Sequence, residues 1–76
     1  MSKRLPVVTG KQLLNVLHSA GWNIHHVRGS HHQLKHIVSG KKITIPIHAG
    51  HEIKRGLLKA ILNDIGLSIE KFRTLL

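Results

Sequence analysis

A chain of 76 residues is one small domain, and a domain of this size buries only about 60% of the surface its unfolded form exposes, so its core is thin. Twelve Lys and Arg stand against three acids, a formal net charge of +9, with eight histidines besides. Glu52, Asp64 and Glu70 are too few carboxylates for a paired-carboxylate hydrolase or an all-oxygen Mg²⁺ or Ca²⁺ cage, and without cysteine there is no disulfide, no thiolate nucleophile and no Cys-based zinc site.

Residues 1–8 carry no periodic pattern and are expected to be a flexible N-terminal segment. Thr9-Gly10-Lys11-Gln12 fits a capping box, in which the Thr hydroxyl takes an orphan backbone N–H and the Gln side chain reaches back. Leu13, Leu14, Leu17 and Ala20 then recur at helical spacing, with Val16 widening the stripe, which predicts a helix over about 10–20. Gly21 sits where a left-handed residue closes a helix, and Trp22 is placed to seal that end with an apolar contact.

From Asn23 to Ile47 the period becomes two, punctuated by Gly29-Ser30 and Ser39-Gly40. Three short strands follow, over about 23–28, 31–38 and 42–47, in an antiparallel meander. Pro46 cannot donate to a ladder and belongs at a strand end or on an edge. Leu57, Leu58, Ile61, Leu62 and Ile65 return to helical spacing, Gly66 ends that helix, and Ser68 caps a short C-terminal helix docked through Ile69, Phe72 and Leu75. The whole chain, 1–76, reads as a single α+β domain: an α-β-β-β-α two-layer sandwich with a three-stranded antiparallel sheet and a short C-terminal helix. Two helices cover one sheet face and the other faces water.

Strand alternation sorts the histidines. If Leu34 points to the core, His32 and His36 share its face, and His31, Gln33 and Lys35 share the open one. An imidazole on the open face near a lysine suits proton transfer close to neutrality. His48-x-x-His51 with His25, His26 or His36 can supply three imidazoles to Zn²⁺ or Ni²⁺, but no Cys and no H-E-x-x-H motif accompany them, and no cofactor is expected. Arg28, Lys35, Lys41, Lys42, Lys54 and Arg55 fall at strand ends, in turns and at the start of the second long helix. With acids so scarce, they point to a nucleic acid or another polyanion. Trp22 and Phe72 are the only aromatics, and both read as core. A stacking platform for bases is therefore missing, and recognition should run through backbone and shape. No run of about 18 apolar residues spans a membrane, and residues 1–10 lack the apolar region of a signal peptide, so a soluble cytoplasmic protein is expected.

Gly21-Trp22, Arg28-Gly29-Ser30-His31-His32, Ile45-Pro46-Ile47-His48, Gly56 to Leu62 and Gly66-Leu67 together resemble the HicA toxin family, from about Gln12 to Phe72. The resemblance implies a fold like the double-stranded RNA-binding domain. It also implies an mRNA interferase of a type II toxin–antitoxin system that works without metal, cleaves mRNA as its substrate and is held inactive by a HicB-like antitoxin. The family's catalytic histidine maps onto His31, with His32 as the fallback, and Gly29-Ser30 onto the turn that leads into it. His36-Ile37-Val38-Ser39 departs from the family in lacking a proline. The expected mechanism has His31 take the 2′-OH proton, with Lys35 near the developing charge, the acid open between His32, His48 and solvent, and a 2′,3′-cyclic phosphate as product. The competing reading is a non-catalytic RNA-binding module on the same fold. A monomer when free is expected.

Overall fold

A computed structural model describes residues 4–76. Residues 1–3, part of the expected flexible segment, lie outside the described residues. The elements run α1 (Gly10–Ser19), β1 (Trp22–Arg28), β2 (His31–His36), β3 (Lys42–Pro46), α2 (Arg55–Ile65) and α3 (Ile69–Leu75). The order is the α-β-β-β-α plus terminal helix read from periodicity, with an open antiparallel sheet in the order β1-β2-β3.

The local reasons for these boundaries are visible. Thr9 caps α1 through its Oγ1, which accepts from Gln12 N–H at 3.2 Å, while Gln12 Oε1 accepts from Thr9 N–H at 2.8 Å. Gly21 follows α1 at φ 95°, a left-handed value that a side chain disfavours. Gly66 closes α2 at φ 74°, and Leu67 N–H donates back to Leu62 O at 2.9 Å, which satisfies carbonyls the helix end leaves free. Ser68 caps α3 by accepting from Lys71 N–H at 3.1 Å.

Two strands end earlier than alternation predicts, β2 at His36 and β3 at Pro46. Ile37 N–H still donates to Gly21 O at 2.9 Å, in register with the Trp22–His36 pair, while Gly40 N–H closes onto His36 O at 3.0 Å. The chain leaves the sheet there because the turn closed by Gly40 on His36, and by His36 N–H on Lys41 O at 2.9 Å, reverses it toward β3. Ile37 and Val38 are consequently exposed. Pro46 both ends its strand and lies on an edge of the sheet, the two places open to a residue with no N–H.

One core holds the layers together. Trp22, Leu34, Ile43 and Ile45 enter it from the sheet, Leu13, Val16 and Leu17 from α1, Leu58, Ile61 and Leu62 from α2, and Phe72 from α3. The segment before α1 is not wholly loose. Val8 is 1% exposed, its carbonyl accepts from Ile53 N–H at 2.8 Å, and Thr9 pairs with Glu52 in an isolated antiparallel bridge. An apolar residue at the core side of the cap pins the chain there, so that part of the segment expected to be flexible belongs to the fold.

Candidate active site

The β1–β2 hairpin builds the site. Gly29 takes φ 60°, with nothing within 4 Å of where a Cβ would stand; the demand for glycine there comes from the backbone alone. The turn sets Arg28 opposite His31, and His31 opposite Pro46 of β3. Cross-strand partners lie on one face with Cβ atoms about 4.5–5.5 Å apart. Arg28, His31 and Pro46 therefore form the first row of the open face. His26, Gln33 and Thr44 form the second, and Asn23, Lys35 and Lys42 the third. Both His31 and Arg28 are exposed.

A β-bulge makes this arrangement possible. The register shifts between Ile24 and His26, leaving His25 without a partner. Strict alternation from Trp22 and Ile24 would put His26 on the core face and Val27 on the open one. The extra residue reverses this: His26 joins Gln33, and Val27 joins His32. Sequence alone gave no sign of it, since adjacent imidazoles fit either phase.

His31 and His32 are separated by the pleat, as alternation around Leu34 predicts. His31 is exposed, whereas His32 is half-buried on the helix-covered face opposite Val27 and Ile45. His32 Nδ1 lies 3.2 Å from Ser30 O. A carbonyl only accepts, so Nδ1 donates, and in the neutral ring Nε2 is the acceptor nitrogen. The same carbonyl accepts from Ile47 N–H at 2.7 Å, so Ser30 ties the start of β2, the end of β3 and one imidazole together.

His36 serves the fold. Its Nε2–H donates to Ala20 O at 3.1 Å, and Nδ1 accepts from Val38 N–H and Ser39 N–H, each at 3.2 Å. With both nitrogens occupied it is no metal ligand. Among the described residues, no three His, Asp or Glu side chains are placed to hold a metal ion. His48 and His51 do meet, with ring centroids 6.3 Å apart, but the third imidazole of the metal reading is not assembled.

The basic residues divide into groups. Lys35 is four residues along β2 from His31, about 13 Å at strand rise, too far for its ammonium to share the phosphate that His31 would touch. Arg28 is the basic residue directly opposite His31. Lys35 and Lys42 oppose each other on the exposed face; like charges so placed weaken a sheet, and a polyanion laid across them relieves the repulsion. Lys41 is drawn away from the sheet. Its Nζ donates to Asp64 O at 2.6 Å and lies 3.5 Å from Asp64 Oδ1, which places a cation at the C-terminal end of α2. Lys54 and Arg55 are exposed at the start of α2, and Lys54 shares one surface depression with Pro46 of the His31 row.

The class that fold and site define is a small basic α+β domain whose open sheet face carries an arginine–histidine pair beside opposed lysines. The chain belongs to the HicA toxin family: the family model for the HicA toxin of bacterial toxin–antitoxin systems matches residues 10–67. It is thus a toxin of such a system, from a family of ribonucleases, with RNA as substrate and an antitoxin as partner. No curated protein and no solved structure matches the chain. Among the described residues, no helix is long and apolar enough to cross a membrane.

Proposed function

We propose that this toxin cleaves mRNA through His31, without a metal, and that a HicB-like antitoxin silences it by covering the same face. The observation that carries the reading is the Arg28–His31 pair, an exposed histidine with an exposed arginine as its cross-strand partner. RNA brings its own nucleophile, so the enzyme needs a base, a proton for the leaving oxygen and positive charge near phosphorus. His31 takes the proton of the 2′-OH. The 2′ oxygen then bonds to phosphorus, the bond from phosphorus to the 5′ oxygen breaks, and that oxygen takes up a proton. Arg28 stabilises charge gathering on the non-bridging oxygens. The products are a 2′,3′-cyclic phosphate and a 5′-hydroxyl.

One observation favours a second reading, with His32 as the base. Its tautomer is fixed by Ser30 O, leaving Nε2 ready to accept a proton, and an orienting partner of this kind is common for catalytic imidazoles. The two side chains leave β2 on opposite faces, so they do not serve one phosphate together. Purified His31→Ala and His32→Ala proteins, assayed on RNA with a chelator present, separate the readings. Loss of cleavage in the first alone supports His31, and loss in the second alone moves the base to His32. Full activity in both removes catalysis by either histidine, and binding without cleavage by wild type leaves the RNA-binding module.

A further inference from the structure

The turn after β3 gathers two histidines that the cleavage chemistry above does not use. His51 N–H donates to His48 O at 3.0 Å, closing a four-residue turn, and Gly50 at its third position has φ 77°. A positive φ at that position is what a type II turn requires. The turn holds both imidazoles on one side of the chain, ring centroids 6.3 Å apart and nearly perpendicular at 81°. Both residues are exposed. They line a depression of about 480 Å³ together with Pro46, Glu52, Lys54 and Leu57.

We propose that His48 and His51, with Lys54, form a phosphate subsite that holds a backbone phosphate of the RNA adjoining the one cleaved. The proposal rests on the ribonuclease reading above and adds to it a binding site with named donors. A ring N–H reaches a phosphate oxygen at about 2.9 Å, so two rings at this separation can donate to oxygens of one phosphate from two sides. Lys54 supplies the full positive charge. Glu52 is the one carboxylate in the depression, and its backbone is engaged with Thr9. Its carboxylate opposes an anion in the depression, so binding there rests on the two imidazoles and Lys54. Pro46 joins the depression to the catalytic row, because it is the cross-strand partner of His31. His48 is two residues beyond Pro46, at most about 7 Å of chain. One strand of RNA lying over His31 therefore continues into the depression.

The test measures binding apart from cleavage. A short RNA with a 2′-deoxy substitution at the cleaved position, which removes the nucleophile, is titrated by fluorescence anisotropy at several salt concentrations. The titrations use wild type, His48→Ala/His51→Ala, Lys54→Gln and Gly50→Ala, with His31→Ala and His32→Ala for comparison. The double histidine variant is expected to bind about tenfold more weakly, with kcat at saturating cleavable RNA within about twofold of wild type. Lys54→Gln should lower the salt slope by about 0.7, one phosphate contact on a single strand. Gly50→Ala keeps both imidazoles but disfavours the turn, and should weaken binding in the same direction. Melting temperatures confirm that each variant folds. Wild-type affinity and salt slope in the double variant overturn the subsite while the ribonuclease reading stands. A loss of kcat with unchanged affinity also overturns it, placing His48 or His51 in the chemistry. If wild type neither binds nor cleaves RNA, the functional reading fails, and the subsite fails with it.

Discussion

His36 stands edge-on to Trp22, ring centroids 5.1 Å apart at 72°, and its ring nitrogens bind the backbone at Ala20 on one side and at Val38 and Ser39 on the other. One half-buried imidazole thus joins the end of α1, the first residue of β1 and the turn after β2. His36→Ala removes a ring contact and three hydrogen bonds, a loss of about 2 kcal/mol. In a domain of this size that lowers Tm by about 10 °C, read by circular dichroism.

Gly21 faces the same ring. A Cβ there would stand 2.8 Å from His36 Nε2, at a backbone φ of 95°. Gly66 has a similar φ of 74° with nothing within 4 Å. Gly66→Ala should therefore cost about 1 kcal/mol for the left-handed backbone alone, and Gly21→Ala clearly more, because it also displaces His36. Urea denaturation of the two variants side by side checks the order.

Arg28 and Lys35 should fail differently. Arg28→Gln removes the charge opposite His31 and is expected to lower kcat by about 10²-fold, in the range found for a lost transition-state donor. Lys35→Gln, about 13 Å along the strand, should raise KM and leave kcat nearly unchanged. Steady-state kinetics on a short RNA separates the two effects.

Lys41 and Lys42 are neighbours in sequence but not in task. Lys41 reaches Asp64 at the end of α2, whereas Lys42 lies on the sheet face opposite Lys35. Lys42→Gln should lower the salt slope of RNA binding by about 0.7. Lys41→Gln should leave that slope unchanged and cost at most about 1 kcal/mol of stability, since the ion pair it makes is exposed.

The sequence carried the fold where one signal dominated. Apolar spacing placed both long helices, and the capping box at Thr9 and the glycines after α1 and α2 marked their ends. In β2, Leu34 set the phase, so the outward His31, Gln33 and Lys35 could be read directly. What escaped was governed by contacts between segments distant in sequence. The bulge at His25 depends on register with β2, and His-His offers no apolar mark to reveal it. Ile37 and Val38 look like strand, but the turn that Gly40 closes on His36 takes them out of the sheet. Lys41 looked like a free cation because Asp64 is 23 residues away. The pairing of His48 with His51 was visible as spacing. That they share one depression with Pro46, Lys54 and Leu57 depended on the path of the loop between β3 and α2.

The central claim is that an imidazole in the Ser30–His31–His32 element cleaves RNA by activating the 2′-OH. The most direct measurement is the chemical nature of the product ends, from a defined RNA incubated with purified protein and excess chelator. The account predicts a 2′,3′-cyclic phosphate and a 5′-hydroxyl, formed by wild type and lost in His31→Ala. A 3′-hydroxyl product, or cleavage that stops when the chelator is added, would contradict it.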